Sequence, residues 1–214
     1  MISVLIIGAG QFGLHIAKRM TELECEVMVV DKSEDKINKI LPFVTDARIG
    51  DGTNEEFIRS LDVRGFDVCV VSIGDNFQSS LETTSILKEA GAKTVVSRAV
   101  NDIQRKFLLR NGADEVVYPE KEAAYRTATK YASDVIMDFI SFNDDYSIFE
   151  LRVPEKWHEK TLSQLDVRKK HNINIIALKR DERVIVPSPD LRLDMGDTIF
   201  AIGELDEIKK CFKI

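Results

Sequence analysis

The chain is short of cysteine, histidine and long apolar runs, and each shortage removes a class of explanation. Only Cys25, Cys69 and Cys211 occur, an odd number with no metal-ligand spacing. Buried, reduced thiols in a reducing cytosol are therefore expected rather than a disulfide framework. The longest early apolar run, Val4 to Ile7, falls far short of the about 20 residues that span a bilayer. Glycines follow it at once and no basic segment precedes it, so it does not read as a secretion signal. Work at a membrane then needs a partner that holds the chain there. Basic charge is short as well, with 30 Lys and Arg against 36 Asp and Glu and a formal net charge of −6. Nucleic-acid binders show a basic face, so nucleic acid is not an expected partner. A local basic patch at a phosphate site stays possible.

Catalytic vocabulary is sparse. General acids and bases are most often His, Glu, Asp, Lys or Tyr, and the histidines are only His15, His158 and His171. His15 falls one turn into the first expected helix, His158 sits beside Trp157 in a charged stretch, and His171 follows Lys169 and Lys170. His15 reads as a surface or packing residue, and neither His158 nor His171 has a Ser or Cys nucleophile near it in the chain. HExxH, paired CxxC, GxSxG and GK[ST] are absent. What is present is ordinary core material, with 44% hydrophobic residues in 214.

The first 120 residues alternate apolar runs with helical patterns. Strands are expected at Ile2–Ile7, Glu26–Val30, Ala47–Ile49, Val68–Ser72, Thr94–Ser97 and Val116–Tyr118. Several are continuous Val/Ile runs, as in strands buried on both faces. Helices are expected at Gly13–Leu23, Ser33–Leu41, Thr53–Leu61 with Thr53 as N-cap, Asn76–Ala90 and Asp102–Asn111. The fold class is α/β: a Rossmann-like parallel sheet with helices on both faces. After Pro119 the period changes. Glu120–Phe139 reads as one long helix with no buried strand behind it, ending at a polar break, Asn143-Asp144-Asp145. The rest reads as a small α+β domain with an antiparallel sheet. Its strands are expected at Ile148–Val153, Ile173–Lys179, Arg183–Val186 and Thr198–Ile202, with helices at Thr161–Leu165 and Asp206–Phe212. Three segments follow: a nucleotide-binding domain over 1–119, a crossover helix and linker over 120–145, and a C-terminal domain over 146–214.

The strongest local signal is Gly8-Ala9-Gly10-Gln11-Phe12-Gly13, after a strand and opening a helix. Gly8 permits a tight turn, Gly10 lets backbone approach a diphosphate, and Gly13 lets the helix pack on the sheet. Free N–H groups and the helix dipole there favour an anion. Asp31 ends the second strand 18 residues after Gly13, the spacing of an acid that accepts ribose hydroxyls. It would repel a 2′-phosphate, which disfavours NADP. Lys32 follows it into the same site. Ligands of such sheets lie beyond the carboxyl ends of the strands, so three further turns join the site. They are Gly50-Asp51-Gly52-Thr53 beside an adenine, Ser72-Ile73-Gly74-Asp75-Asn76, and Ser97-Arg98 with Arg98 toward a terminal phosphate.

These segments, in this order, with Gly112-Ala113-Asp114-Glu115-Val116-Val117-Tyr118-Pro119-Glu120, resemble the RCK (KTN) domain of the TrkA/KtrA potassium-uptake regulators. The tail from Leu193 through Gly203 resembles the closing motif of the TrkA C-terminal domain. The single-repeat length is similar to KtrA rather than to two-repeat TrkA. The resemblance implies a regulator and not an enzyme. It implies a cytoplasmic homo-oligomer, dimers assembling into an octameric ring, docked under a TrkH/KtrB-like potassium-translocating subunit. The crossover helix would pair two protomers along Ala124, Ala128, Ala132, Val135, Ile136 and Phe139. ATP, ADP or NAD(H) would shift the ring, and Gln11, neutral where KtrA-type loops often carry arginine, leaves the choice among them open. The resemblance also implies Glu120 as ligand of a Mg²⁺, Ca²⁺ or Na⁺ ion near the phosphates. It further implies a cyclic di-AMP site at a two-fold interface: Arg168 on phosphate, Asn174 as donor and acceptor, and Leu162, Ile175 and Pro189 as apolar floor. Two other readings share the first domain: an NAD-dependent oxidoreductase with a divergent substrate domain, and a nucleotide-sensing regulator of an antiporter.

Overall fold

The structure, a computed structural model, describes residues 1–143 and 145–214; Asp144 of the expected polar break lies outside the described residues. The chain divides into two compact units, Met1–Lys121 and Glu122–Ile214. The first unit runs β1 (Ser3–Ile7), α1 (Gln11–Glu22), β2 (Glu26–Asp31), α2 (Glu34–Ile40), β3 (Asp46–Ile49) and α3 (Glu55–Ser60). It continues through β4 (Val68–Val71), α4 (Phe77–Glu89), β5 (Val95–Arg98), α5 (Asp102–Arg110) and β6 (Glu115–Val117). Helix α6 (Pro119–Tyr131) then carries the chain across the boundary between the units.

The six strands are parallel in the order β3-β2-β1-β4-β5-β6. The inner strands β1, β2 and β4 are Val/Ile-rich runs because both of their faces are covered, whereas the edge strand β3 carries Asp46 and Arg48. On one face Val4, Ile6, Val27 and Val29 meet Ala17, Ile37 and Ile40 of α1 and α2. On the other, Leu5, Ile7, Cys69 and Val71 meet Ile58 and Leu87 of α3 and α4. The order reverses between β1 and β4, and this switch point opens a crevice at the carboxyl ends of the strands.

The second unit holds β7 (Ile136–Ser141), β8 (Tyr146–Arg152), α7 (Leu162–Leu165), α8 (Val167–His171) and β9 (Asn174–Arg180). It closes with β10 (Arg183–Ile185), β11 (Thr198–Glu204) and α9 (Leu205–Phe212). Its antiparallel sheet runs β10-β9-β11-β8-β7 over a core containing Phe149, Leu151, Leu178, Leu193 and Ile199. Arg180 lies against Asp197, whose Oδ2 is 2.6 Å from Nη2. Burial opposes the charge on Asp197, but Arg180 and the Asp194 N–H more than offset it and hold the carboxyl below its ordinary range.

The structure differs from the sequence expectations in four places. The helix expected over Glu120–Phe139 stops at Tyr131, and Ile136–Ser141 pairs with β8 instead. The Ser133 hydroxyl accepts the Val135 N–H at 3.0 Å and turns the chain. Ile136 and Phe139, at helical spacing, gain more as strand residues facing Leu151 and Phe149. The N-cap of α3 is Asn54, which accepts from the Phe57 N–H at 2.9 Å, because Thr53 is bonded back to Asp51. Helix α8 was not expected. Cys69 and Cys211 are buried, with burial pushing the Cys69 thiol up to about 12, but Cys25 is partly exposed. Among the described residues no helix is long and apolar enough to cross a membrane.

The α6–β7 corner carries an acid-sensitive pair. Arg126 Nε lies 2.8 Å from Asp138 Oδ1 and, with the Phe139 N–H, lowers the Asp138 pKa to about 2. A depressed folded-state pKa means that this contribution is complete above the ordinary value of 3.8 and is lost as pH falls through about 2. In Arg126→Ala the Asp138 carboxyl should titrate back near 3.8 by NMR; an unchanged midpoint would refute the pairing.

Candidate functional site

The crevice at the switch point is a cleft of about 610 Å³. Its edge is built by the turn after β1. Gly8 takes a φ of +107°, which side chains avoid, and its N–H donates to the Val30 carbonyl at 2.7 Å. The Ser72 hydroxyl at the end of β4 donates to the Gly8 carbonyl at 2.6 Å and locks turn to sheet. Gly13 lies under that turn: a Cβ there would stand 2.1 Å from the Gly8 carbonyl oxygen. Gly10 is the opposite case, since a Cβ there would meet nothing within 4 Å. Open space at Gly10 faces the cleft, where a ligand has room to approach the backbone.

Helix α1 begins at Gln11 with no side-chain cap and no acid in its first turn. Asn54, Asn76 and Asn101 cap α3, α4 and α5 with their side chains. The first-turn N–H groups of α1 are thus left for an anion.

Asp31 ends β2 and is only 8% exposed. Its Oδ2 accepts the Ala9 N–H at 2.7 Å and its Oδ1 accepts the Ser33 N–H at 2.8 Å. Lys36 Nζ stands 3.5 Å from Oδ2. Each carboxylate oxygen can accept twice, and Lys36 already faces Oδ2, so a ribose hydroxyl would be accepted by the remaining lone pair of Oδ1 or in place of Lys36. Next along the rim, the Thr53 N–H and hydroxyl bond Asp51 Oδ1 at 2.9 and 2.8 Å and hold that carboxyl below its ordinary pKa.

Arg98, at the end of β5, borders the far side. Its guanidinium lies 5.5 Å from the Phe12 ring centroid and packs on Gly74, where a Cβ would stand 2.6 Å from Nη1. It is ion-paired with Glu120 in the first turn of α6. Its Nε is buried without a partner among the described residues. Partial burial opposes the Glu120 charge, but the bond and charge of Arg98, together with a backbone N–H, outweigh it and lower the pKa.

Eleven sequence-predicted residues share this one lining: Gly8, Gly10, Gln11, Asp31, Lys32, Asp51, Gly52, Ser72, Ile73, Gly74 and Arg98. Phe12, Gly13 and Thr53 do not line it; they support Arg98, the Gly8 turn and Asp51. Lys36 and Lys39 line it and were missed, as were Leu14 and Ser79. Their signal was the spacing of Lys36 and Lys39 on the helix that follows Asp31, about one turn apart on one face. The lining carries Lys32, Lys36, Lys39 and Arg98 against Asp31, Asp51 and Asp75, a basic surplus in an acidic chain. Glu120 stands with Arg98, and among the described residues no cluster of three His, Cys, Asp or Glu is placed to hold a metal.

In the second unit Leu162 and Ile175 are half-buried against the core, while Arg168, Asn174 and Pro189 are exposed. The Ser163 N–H donates to the Pro189 carbonyl at 2.9 Å, which brings Pro189 onto α7 beside Leu162. Arg168 belongs to α8 and Asn174 and Ile175 open β9, two residues beyond that helix's Asn172 cap.

Comparison with known proteins gives two family matches. The TrkA-N domain matches residues 4–119 and the TrkA-C domain matches residues 147–214. Ktr system potassium uptake protein C of Bacillus subtilis (strain 168) is 38% identical over 206 residues, covering 96% of this chain and 93% of that protein. Ktr system potassium uptake protein A of the same organism is 32% identical with the same coverage. Among solved structures the GsuK channel superposes with a TM-score of 0.73 at 13% identity, over 99% of this chain, which spans 39% of that one. That likeness shows the fold. The chain therefore belongs to the TrkA/Ktr family of potassium-uptake proteins, with a TrkA-N domain followed by a TrkA-C domain.

Proposed function

We propose that this chain is a cytoplasmic regulatory subunit, not an enzyme, that binds an adenine nucleotide in the β1–β4 cleft and thereby gates a membrane potassium channel or transporter. The observation that carries the reading is the pairing of an uncapped α1 N-terminus, open at Gly10, with a buried Asp31 one strand away. The first supplies N–H groups for a diphosphate and the second supplies acceptors for a ribose. The basic surplus of the lining suits phosphate. Membership of a potassium-uptake family supports the partner, a TrkH/KtrB-like translocating subunit. The exposed Ala124 and Ala128 of α6, with Ala132 just past its end, offer a small-residue face on which protomers pair on the way to a ring. ATP, ADP and NAD(H) all contain the adenosine and diphosphate that the cleft fits. Arg168, Asn174, Leu162, Ile175 and Pro189 belong in this reading to a second site for cyclic di-AMP. Glu120 belongs to a cation contact made once phosphates are present.

Isothermal titration of wild type and Asp31→Ala with ATP, ADP and NADH tests the cleft. The mutant should bind about tenfold more weakly or worse, the value of a lost charge-assisted hydrogen bond. A 2′,3′-dideoxy nucleotide should bind wild type as weakly and ignore the mutation. Equal affinity of wild type and mutant for the ribonucleotide would sink the ribose assignment. Light scattering during gel filtration, with each nucleotide, tests the ring.

A further inference from the structure

Arg98 connects two places that the proposed function treats separately. One side of its guanidinium borders the cleft; the other is held by Glu120. Gly74 and Phe12 fix the plane in which it lies, so it has little freedom to leave both. Glu120 is its side-chain partner, while Nε is a buried N–H with none.

The sheet order sets which ligand reaches the Arg98 side of the cleft. Asp31 ends β2 and Arg98 ends β5, with β1 and β4 between them. Three strand steps of about 4.8 Å make about 14 Å. A ribose on Asp31 with one phosphate ends over α1, which follows β1, and stops two strands short of Arg98. A second or third phosphate crosses the mouth of β4 toward the guanidinium. Two anions on one guanidinium repel, so phosphate binding and the Glu120 pair oppose each other even where both stay in contact.

We infer that Arg98 is exchanged between Glu120 and the distal phosphate of a nucleoside di- or triphosphate, so that filling the cleft loosens the first turn of α6. This rests on the nucleotide reading above and names the ligand class that acts through it. Helix α6 is the element in which the first unit ends and the second begins, after Lys121. Release of Glu120 leaves the neighbouring Lys121–Asp102 pair, at 2.8 Å, as an anchor of that turn. By reciprocity, whatever factor Glu120 takes from phosphate affinity, phosphate takes from the hold on α6.

The test is a cycle of Glu120→Gln and Arg98→Ala in the full chain, titrated with ATP and AMP in EDTA. Glu120 is half exposed, so its removal should tighten ATP by about two- to fivefold, the range of a partly solvated ion pair. AMP should not respond, and in the Arg98→Ala background the Glu120 effect should vanish. Hydrogen exchange of wild type gives a readout that needs no variant: amides 123–126, which in an α-helix bond back to the carbonyls of the first turn, should exchange faster with ATP and not with AMP. The inference is overturned if Glu120→Gln weakens ATP or leaves it unchanged, if AMP shifts equally, or if the effect survives without Arg98. It is overturned as well if exchange at α6 is unmoved by ATP. Wild type that binds neither nucleotide fails at the earlier step and takes the proposed function with it.

Discussion

Phe149→Ala is expected to lower the stability of the C-terminal unit by about 3–5 kcal/mol, the range for emptying a buried aromatic site. Phe149 is 1% exposed at the middle of β8, a strand paired on both sides. It faces Phe139 of β7, with ring centroids 5.8 Å apart, and Ala201 of β11. Neighbours on paired strands are held in register by the ladder and have little room to collapse into the space, so the loss should sit in the upper part of that range. The first unit draws its core from its own strands and helices. Nucleotide affinity should therefore survive the substitution. Urea unfolding followed by Trp157 fluorescence reports the C-terminal unit, because this buried indole packs on Phe212 of α9. An earlier Trp157 transition with unchanged ATP titration is the expected result. Loss of both together would mean that the two units do not unfold independently.

How much of this was legible from the sequence depended on whether one period explained each segment. The parallel strands were readable because Val4–Ile7 and Val68–Val71 are continuous apolar runs with a glycine soon after each, which no surface helix shows. Residues 132–139 were not, because Ala132, Val135, Ile136 and Phe139 fit a helical stripe and a strand equally well. What decided was tertiary: β8 offered Leu151 and Phe149 as partners, and nothing local announces a distant strand. Helix α8 escaped notice because five residues between the left-handed Asp166 and Asn172 are too few to carry a period.

The site was legible where backbone chemistry dictates the residue. Gly8 and the acid at the end of β2 are such positions. Side chains that reach the cleft from a helix face are harder to read, since Lys36 and Lys39 look like any solvated lysines until α2 is laid beside β2. Thr53 was misplaced because its hydroxyl had two uses, capping α3 or closing a turn on Asp51, and Asn54 next door took the cap. Glu120 was read through the resemblance as a cation ligand; its partner Arg98 is 22 residues away, and only the β5–β6 pairing brings them together.

Two neighbouring glycines separate what the loop does for the fold from what it does for a ligand. Gly13→Ala is expected to destabilise the chain by about 3 kcal/mol, at the upper end of ordinary overpacking. The added Cβ would stand 2.1 Å from a backbone oxygen of Gly8 and 2.7 Å from Ser72 Oγ, and neither is the free end of a flexible chain. Moving the Gly8 turn breaks the Ser72 hydroxyl bond and the Gly8–Val30 bond with it. For a chain of this size the melting temperature should fall by about 6–12 °C. Nucleotide binding should fall too, because the loop that presents the N–H groups has shifted. Gly10→Ala makes the opposite case. Its φ of −69° suits any residue and its Cβ meets nothing within 4 Å, so stability should stay within about 0.5 kcal/mol. The space it fills is the space a diphosphate needs, and affinity should drop about tenfold or more, a loss of about 1.4 kcal/mol. Thermal unfolding and calorimetric titration of the pair give the answer. If Gly10→Ala binds ATP as wild type does, no phosphate lies over that turn, and the cleft holds its ligand some other way.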